Sequence, residues 1–539
     1  MAYESLREWI KALEKAGELV RVKEEVSPYL EMAEIADRAV KSGKGTAKAG
    51  GPALLFENIK GYPGARALMN QFGSLGRMEM ALETDSLDAI AARIQTMIQP
   101  VAPTSLMDKL KMLPKLAEIG NVFPKIVSAK DAPCKEVILR GEQIDLLKFP
   151  VVTTWPEDGG PFITLPNVIS KDPNSGKRNV GMYRMQVYDG KTTGMHWQRQ
   201  KNGAEHLRER LRKAAGSASG AVDLMALTAG GTVSAASPTS EKRDAGHPGS
   251  SIPEHVATKI RGQRMDVAVA IGTDPSICFS AIVPAPPEVE EFLIAGFLRG
   301  KPVELVKCET VDLEVPATAE IVLEGYVDIG ELRTEGPFGD HTGFYTMQDE
   351  YPVFHITCIT HRKDPIYAAT IVGKPPMEDT YMGKAVERIF LPLMKLTIPE
   401  IVDINIPPEG AFHNLMIVSI RKSYAGQARK VMNAIWSLGG AMFTKIIVVL
   451  DEDCDVHDLG EVVLRTTNNI DPERDIEFTL GPIDSLDHSS RLPNFGSKMG
   501  IDATRKWAAE GFTRPWPSMM EMPDEVKARV SRLCEKLGF

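Results

Sequence analysis

The sequence predicts a mixed α/β protein of two or three domains, with strands concentrated in its central part. Its 539 residues are far more than the roughly 100–200 residues of a usual single domain. The composition, 43% hydrophobic and 25% charged, is that of a globular chain and excludes disordered, collagenous and coiled-coil classes. The residue pattern changes twice along the chain. It divides the chain into an N-terminal α/β region 1–130, a strand-rich region 131–362 and a C-terminal α/β region 363–539.

The first region is predicted to hold helices and a few short strands. Four apolar residues recur at helical spacing near its start: Leu6, Trp9, Ile10 and Leu13. Ser27 followed by Pro28 and closed by Gly43 predicts a second helix, because serine caps free amides and proline is tolerated at the first helical position. Residues 53–56 predict a short buried strand, and residues 100–130 a Lys-rich helical connector.

The second region consists of short strand-like segments separated by glycine and proline. In the last segment Phe354, Ile356 and Cys358 alternate with His355 and Thr357, which is the two-residue period of a half-buried strand. A barrel or a β-rich sheet fits this region best.

Residues 207–252 differ from the rest of the second region. They begin with a charged helical segment and continue with small, polar residues, a composition that predicts an insertion or a mobile loop. We interpret the basic residues of this segment as a solvated helix face rather than an anion site.

The third region returns to alternating strands and helices. Residues 415–420 and 445–450 are apolar strands, and the helix between them ends at Gly439. One face of this helix is apolar: Ala428, Val431, Met432 and Ile435. The pattern is a βαβ unit, which predicts a parallel pair of strands.

Charge and composition exclude several functional classes. The net charge of −9 offers no attraction to nucleic acid or to anionic lipid. The six cysteines are scattered and include no CxxC pair, which argues against a disulfide framework or a thiolate zinc site. No apolar run approaches the ~18 residues of a membrane span, and the start lacks a signal peptide's apolar core. We therefore expect a cytoplasmic protein without a transmembrane segment. The common nucleotide-binding and protease motifs are absent, which argues against those functions.

The densest group of polar residues is the string EGPFGDHTG at residues 335–343. Pro337 and three glycines prevent a regular helix, so Glu335, Asp340 and His341 are expected on a turn just before a strand. When two acids lie close together, the pKa of one of them tends to be raised above that of the other. The acid with the raised pKa is suited to act as a proton donor. The alternative is a structural turn whose acids accept backbone hydrogen bonds.

A second group of polar residues lies along a predicted strand. Asn179 and Arg184 are at the two ends of this strand, and His196 follows it in the sequence. Residues five apart face opposite sides of a regular strand, so a bulge or twist would be needed to bring Asn179 and Arg184 together. An amide oxygen, a neutral imidazole and a carboxylate together form a site suited to Mn²⁺ or Mg²⁺. The alternative for His196 is an ordinary core or surface histidine.

Together these strings resemble the UbiD family of reversible, non-oxidative decarboxylases, and in particular its 3-polyprenyl-4-hydroxybenzoate decarboxylase branch. The resemblance rests on Asn179-x-Gly-x-Tyr-Arg184, Met-His-Trp at 195–197, EGPFGD at 335–340, GKPP at 373–376 and GSKMGIDAT at 496–504. It implies a central split β-barrel domain that binds prenylated FMN, and a C-terminal domain that mediates homo-oligomerisation as a dimer or hexamer.

The resemblance also implies roles for individual residues. The catalytic triad falls on Arg184, Glu335 and Asp340. The ligands of a divalent cation, usually Mn²⁺ with K⁺ nearby, fall on Asn179, His196 and Glu291, the last selected from neighbouring glutamates by its register with Ala295-Gly296. Six residues would line the flavin: Met182, Tyr183, Arg184, Met195, His196 and Trp197. Arg421 would help to hold its phosphate.

The chemistry explains why such residues are needed. Loss of CO₂ from an aromatic or alkenyl carbon leaves a carbanion without an electron sink, so a cofactor must supply one. Arg184 would bind the substrate carboxylate and orient Glu335. Glu335 or Asp340, with a pKa raised by burial against an aromatic substrate, would protonate the carbon. A flavin prenyltransferase would supply the cofactor. Two alternatives remain: an arene carboxylase that runs the reverse reaction, and a non-catalytic flavin-binding or assembly subunit of a carboxylase complex.

Overall fold

A computed structural model describes residues 3–43, 49–98, 120–198, 201–215, 262–285 and 289–538, and it confirms the mixed α/β class. The helices are α1 Leu6–Lys15, α2 Glu31–Lys41, α3 Leu75–Ala81, α4 Leu87–Ile98, α5 Asn202–Ala215, α6 Pro275–Ser280, α7 Glu291–Arg299, α8 Glu378–Thr397, α9 Gln427–Trp436, α10 Leu459–Asn469, α11 Pro472–Asp475 and α12 Asp524–Leu537.

Within the described residues the strands form three larger sheets, one three-stranded sheet and two two-stranded pairs. They are β1 Leu19–Val22, β2 Ala53–Phe56, β3 Arg66–Met69, β4 Lys125–Ile126, β5 Val137–Arg140, β6 Phe162–Ile163, β7 Pro166–Lys171, β8 Arg178–Gly181, β9 Met185–Gln186, β10 Thr192–Gly194, β11 Arg264–Ile271, β12 Glu304–Lys307, β13 Glu314–Pro316, β14 Ile321–Glu335, β15 Phe338–Gly339, β16 Tyr345–Thr346, β17 Asp349–His361, β18 Ile366–Ala368, β19 Ile401–Asn405, β20 Leu415–Ile420, β21 Ile446–Asp451, β22 Ile476–Pro482 and β23 Phe495–Asp502. The three-stranded sheet has the order β13-β12-β4.

The N-terminal sheet has the order β1-β2-β3-β18. The predicted strand at residues 53–56 is confirmed as β2, and α1 buries all four predicted apolar residues. β18 pairs in parallel with β3, although it follows the predicted boundary at residue 363. The chain therefore returns to the first sheet after completing the central one.

The predicted start of α2 at Ser27 is wrong, because the helix begins at Glu31. Leu30, directly before it, has a positive φ of 67°, and its N–H donates to the carbonyl of Thr153. That bond and the bridge between Tyr29 and Thr153 hold the preceding residues in an extended conformation against the central sheet. Ser27 instead accepts a hydrogen bond from the Tyr29 N–H in a short turn.

The central sheet is antiparallel, with the order β10-β17-β14-β11-β7-β8 and with β5 also paired to β17. Its longest strands, β14 and β17, pair along most of their length, and the alternation predicted for residues 354–358 is observed in β17. Over the described ranges β10 and β8 form its two ends, so the sheet is open rather than a closed barrel.

The C-terminal sheet confirms the predicted βαβ unit. β20 and β21 are parallel, and α9 between them buries the predicted apolar face. The full order is β19-β20-β21-β23-β22. This sheet packs around its own apolar cores, formed by residues between 391 and 503, whereas the N-terminal and central sheets share theirs.

Two predictions fall largely outside the described residues: residues 100–119 of the helical connector predicted for residues 100–130, and the polar part of the predicted insertion from residue 216 to 252. In the described part of the connector, residues 125–126 form strand β4 rather than a helix, because they pair with β12. The start of that insertion belongs to α5, where Arg208 and Arg212 pair with Glu205. Within the described ranges, no helix combines the length and the apolar character needed to span a lipid bilayer.

Candidate active site

The EGPFGD string forms a tight turn at one end of the central sheet. Glu335 is the last residue of β14, and Asp340 directly follows β15. Gly336 has a φ of +93°, a conformation that favours glycine. A Cβ added to Gly339 would lie 2.2 Å from Cδ1 of Trp155, so only glycine fits against that ring. The glycines of the motif therefore shape the turn that sets the two carboxylates.

Two side chains outside the motif hold this turn by its backbone. The N–H of Gly336 donates to Oε1 of Gln186 at 2.8 Å, and the N–H of Gly339 donates to Oδ1 of Asp158 at 2.8 Å. The other oxygen of Asp158 accepts bonds from the backbone N–H groups of Thr154 and Trp155. The turn is thus fixed on both sides by charged or polar partners.

Arg184 joins the two acids of the turn. Its Nε donates to Oε1 of Glu335 at 2.9 Å, and its Nη1 donates to Oδ2 of Asp340 at 2.6 Å. Its Nη2 donates to the hydroxyl of Thr346 at 3.2 Å, and its guanidinium carbon lies 4.6 Å from the ring centroid of Phe338. One guanidinium therefore holds both carboxylates and rests on an aromatic face.

The backbone brings Arg184 to the site by a break in the strand. β8 ends at Gly181 and β9 begins at Met185, so the residues between them leave the regular ladder. The opposite orientations expected of Asn179 and Arg184 on one regular strand therefore do not apply. The sequence predicted a bulge or twist within one strand between Asn179 and Arg184. The structure instead has two separate strands, β8 and β9, with residues 182–184 between them.

In the protein without ligands the pKa of both acids is lowered, and the rise expected from burial against an aromatic substrate stays a prediction. Burial alone would raise the pKa of Glu335, but His196 and Arg184 outweigh it and lower that pKa. Burial is likewise outweighed at Asp340, where His341 and Arg184 hold the pKa far below its usual range. Both acids are carboxylates in this state.

His196 lies against the same acid. Its Nδ1 is 2.7 Å from Oε1 of Glu335, and its ring is 4.2 Å from the ring of Tyr351. Since Glu335 is a carboxylate, Nδ1 is the donor. The second oxygen of Glu335, Oε2, is buried and has no hydrogen-bond partner among the described residues. An orphaned carboxylate oxygen here is ready to accept a proton or a hydrogen bond from a ligand.

Asn179 and Glu291 form a second polar group. With the amide oxygen of Asn179 turned towards Glu291, the two oxygens are 3.1 Å apart, and the opposite orientation of the amide makes a hydrogen bond at that distance. Oε2 of Glu291 accepts the N–H of Val180 at 2.8 Å, and burial raises the pKa of Glu291 to about 7. Its neighbour Glu290 pairs with Arg178 instead. The contacts therefore distinguish Glu291 from Glu290.

No group of three or more His, Cys, Asp or Glu side chains is arranged to hold a metal ion within the described ranges. The predicted set needs only two such side chains, His196 and Glu291, because its third member is an amide. A cavity of about 450 Å³ is lined by Arg178, Glu290 and Glu314, and neither Asn179 nor Glu291 lines it. The three residues of the catalytic triad do not line it.

The other predicted cofactor residues lie in two places. Tyr183 is buried beside Asn179, and Met195 and Trp197 are fully buried around His196. The Nε1 of Trp197 is a second buried polar atom without a partner among the described residues. Met182 lies between two apolar clusters.

Arg421 is not brought to this site. It directly follows β20 in the C-terminal sheet, its side chain is 73% exposed, and it pairs with Glu452. Its position gives no support to the predicted role at a phosphate.

Sequence reasoning missed several residues that the fold adds to the site. Thr346 contacts Arg184, and His413 of the C-terminal sheet contacts His341. Asp379, in the first turn of α8, faces the same histidine. Asp379 and Thr346 lie close in sequence to recognised motifs, which is a usable signal, whereas no local pattern marks His413.

Comparison with known proteins assigns this arrangement to a family. Models of the 3-octaprenyl-4-hydroxybenzoate carboxy-lyase match the chain in its N-terminal domain at residues 10–95, its Rift-related domain at 125–244 and 243–375, and its C-terminal domain at 380–503. This chain belongs to the UbiD family. It is accordingly a carboxy-lyase, as the sequence resemblance predicted.

Similar UbiD-family proteins match the whole chain. An uncharacterised protein of Archaeoglobus fulgidus is 50% identical over 538 residues, covering 100% of this chain and 99% of the relative. Vanillic acid decarboxylase of Sedimentibacter hydroxybenzoicus is 27% identical in its closed form, with a TM-score of 0.79 and coverage of 100% and 99%. The open form of that enzyme matches with a TM-score of 0.71.

A third similar protein was solved with a flavin. The UbiD-class enzyme HmfF of Pelotomaculum thermopropionicum, in complex with FMN, is 28% identical, with a TM-score of 0.72 and coverage of 97% of this chain and 98% of that enzyme. An evolved dimeric form of HmfF was solved with prFMN.

Proposed function

We propose that this protein is a reversible, non-oxidative decarboxylase of an aromatic or α,β-unsaturated carboxylic acid, with 4-hydroxybenzoate-type acids as candidates. The observation that carries the proposal is the buried triad, in which Arg184 binds both Glu335 and Asp340 at hydrogen-bonding distance. A purely structural ion pair would not need two acids and an unpartnered carboxylate oxygen beside them. The cytoplasm remains the expected location.

The cofactor proposed is prenylated FMN, made by a flavin prenyltransferase. When bound, such a flavin supplies the electron sink that decarboxylation at an unsaturated carbon requires. The described residues fit a ligand at this place, because Oε2 of Glu335 and Nε1 of Trp197 are buried without partners. A Cβ added to Gly194 would lie 3.2 Å from that same oxygen and 2.9 Å from the hydroxyl of Tyr188, so the glycine leaves the space beside Glu335 free of a side chain of its own.

A divalent cation, Mn²⁺ by preference, is proposed on Asn179, Glu291 and His196, with K⁺ as a further candidate. A cation held by Asn179 and Glu291 would stabilise the carboxylate of Glu291, whose charge burial disfavours. The hydrogen bond from Nδ1 of His196 to Glu335 leaves the lone pair of a neutral ring on Nε2, the nitrogen free to bind metal. The same imidazole would then link the cation site to the catalytic acid.

Arg184 has two tasks in this proposal. It orients both acids in the absence of substrate, and Nη1 and Nη2 each carry a second N–H that can bind a substrate carboxylate. A bound carboxylate competes for the same positive charge, which weakens its hold on Glu335 and Asp340. The pKa of the acids then rises towards the value that a proton donor needs.

The test is to produce the protein with and without a flavin prenyltransferase and to record the absorption spectrum and the mass of the released cofactor. We expect modified flavin only in the first preparation, and CO₂ release from at least one member of a panel of aromatic and unsaturated acids. Bicarbonate with the corresponding arene tests the carboxylase direction. Unmodified FMN or no flavin in the first preparation argues against the proposal, and partner binding without any turnover would identify an assembly subunit.

We also propose that the C-terminal region forms the subunit contact of a homo-oligomer. α12 has no buried residue, yet four of its apolar side chains lie on one face: Val526, Val530, Leu533 and Leu537. On the edge strand β22, Phe478 and Leu480 are about 70% exposed. Exposed apolar side chains grouped in this way are typical of protein interfaces.

A further inference from the structure

A pair of histidines connects the catalytic acid to the C-terminal sheet. Nδ1 of His341 is 2.9 Å from Oδ1 of Asp340, the acid held by Arg184 through its other oxygen. Nε2 of His341 is 3.0 Å from Nε2 of His413. His413 lies two residues before the start of β20, in the part of the chain that packs around separate apolar cores. The pair therefore bridges two separately packed parts of the protein.

The geometry assigns the protons of this pair. Two ring nitrogens 3.0 Å apart need one proton between them. On its other side His341 faces a carboxylate, which accepts a proton from Nδ1. Nδ1 of His413 lies 3.1 Å from Oδ1 of Asn414, which can only accept, so a neutral His413 carries its proton on Nδ1 and accepts through Nε2. His341 is therefore doubly protonated and charged. Burial opposes the charge of His341, but Asp340 outweighs it and raises the pKa of His341 to about 9, whereas burial lowers the pKa of His413.

Three carboxylates face the histidine pair from different elements: Asp340 after β15, Asp379 on α8 and Asp484 after β22. Both oxygens of Asp379 are buried without a hydrogen-bond partner among the described residues. Burial raises the pKa of Asp379 to about 7, with His341 lowering it and Asp340 raising it. The cluster is thus a small buried reservoir of protons next to the triad.

We propose that His341 stores the proton that Asp340 delivers to the substrate carbon, and that His413 is a positioning residue that keeps His341 charged and aimed at Asp340. The proposal rests on the proposed function, because it assigns a source for the proton that decarboxylation consumes. The established family activity requires such a proton, and Asp340 as observed carries none.

The proton balance closes with solvent water as the source. The Nδ1–H bond of His341 breaks, its electron pair stays on the ring, and an O–H bond forms on Asp340. When the bond to CO₂ breaks, its electron pair remains on the substrate carbon and takes that proton, which returns Asp340 to a carboxylate. The neutral His341 then recovers one proton from water. Each turnover therefore consumes one proton from solvent.

This arrangement makes proton delivery depend on how the C-terminal sheet is seated. The His341 and His413 rings meet only while the C-terminal sheet contacts the EGPFGD turn. The chain also matches the closed form of vanillic acid decarboxylase with a higher TM-score than the open form. We therefore expect protonation to occur in the closed arrangement.

The first test measures the charge of His341 without any turnover. Histidine-selective ¹⁵N NMR of the flavin-free protein, with the signal assigned through His341→Gln, should show a doubly protonated ring up to about pH 9. Asp340→Asn should bring the titration down towards 6.5, the ordinary histidine value. A wild-type His341 that titrates near 6.5 overturns the proposal, whether or not the enzyme decarboxylates any acid.

The second test uses the flavin-loaded enzyme. We expect His413→Ala to lower kcat at least tenfold with little change in KM, and to move the basic limb of the kcat profile to lower pH. His413→Gln should restore most of the rate, because an amide oxygen can accept the Nε2 proton of His341. His457→Ala is the matched control, since His457 also lies in the C-terminal region but pairs with Asp403.

The outcomes separate the hypotheses. A His413→Ala variant with wild-type kcat and an unmoved pH profile overturns the positioning role. Equal losses in the Ala and Gln variants, with an unmoved profile, also overturn it, because they indicate a packing role only. If the wild-type enzyme releases CO₂ from no acid, the proposed function fails, and the NMR titration decides the histidine pair separately.

Discussion

At the scale of single residues, the site depends on the shape of one guanidinium. Arg184 reaches Glu335 through Nε and Asp340 through Nη1, a fork that the single ammonium of lysine cannot reproduce. We predict that Arg184→Lys keeps the flavin but loses at least about 100-fold in kcat, in the range typical of a disordered proton donor. CO₂ release and hydrogen exchange at the substrate carbon measure the loss. Arg421→Lys is the control, since Arg421 forms an exposed pair, and an Arg184→Lys enzyme of normal rate would refute the role.

The histidine beside the triad should make stability depend on pH. The folded-state pKa of His341, about 9, lies above its ordinary value of 6.5, so its stabilisation is complete below pH 6.5 and is lost as the pH rises through 9. The lowered pKa of Asp340 acts only in acid, because its contribution is lost as the pH falls below the ordinary value of 3.8. We predict that wild-type protein melts higher than His341→Gln at pH 6 and that the difference disappears near pH 9.5. A constant difference in Tm from pH 6 to 9.5 would contradict a charged His341.

The sequence predicted the identities of the triad but not its electrostatics. A motif of glycines and acids indicates a turn with carboxylates, yet the pKa of Glu335 depends on His196 and Arg184, which lie 139 and 151 positions away in the sequence. His413 carried no signal, because a lone histidine before a strand has no local pattern. Contacts between distant segments are the part that residue types and spacing do not contain.

At the scale of elements, the conformation of the EGPFGD turn is fixed by the end of β14, by the ring of Trp155 and by hydrogen bonds to Gln186 and Asp158. Gly339→Ala would place a Cβ 2.2 Å from the Trp155 ring and push the turn away from Arg184. We predict a folded protein with at least about tenfold lower kcat, since displacement of a catalytic group by 1 Å is costly. Gly440→Ala is the control, because nothing lies within 4 Å of its added Cβ. Retained activity in Gly339→Ala would mean that the turn is not the positioning element.

Elements with a strong local pattern were predicted within about a residue, and those set by partners were not. β2 and β20 are apolar runs of strand length, and their predicted ends agree with the structure. The start of α2 was misplaced because the bond from Leu30 to Thr153, which delays it, lies outside the segment. β14 runs through polar residues as far as Glu335, because it pairs with β17 there.

At the scale of the whole molecule, the chain makes one shared core and one separate core. The N-terminal and central sheets bury their apolar residues together, which explains why β18 joins the first sheet although the second lies between them in sequence. Composition and periodicity predicted three regions, but they did not indicate which regions share a core. Because the C-terminal sheet packs separately, the contact between His341 and His413 depends on the position of this sheet relative to the EGPFGD turn.

The same C-terminal region should hold subunits together. Val526, Val530, Leu533 and Leu537 repeat at spacings of four, three and four residues, so they form one apolar stripe on a helix that is exposed along its length. Burial of such a side chain is worth about 1.5–3 kcal/mol, which is enough for a few of them to decide association. We predict that Leu533→Glu lowers the mass measured by light scattering after size exclusion, while the Tm of the dissociated subunit stays close to that of the parent.

The matched control is Ala528→Glu, which adds the same charge on the opposite face of α12 and should leave the mass unchanged. An unchanged mass in both variants would remove α12 from the interface and leave the exposed edge of β22, tested by Phe478→Glu, as the remaining contact. A wild-type protein that is monomeric at all concentrations would refute the oligomer itself. We expect the apolar stripe of α12 to be buried in an interface, because a stripe exposed to water in every state would lower solubility without any compensating gain.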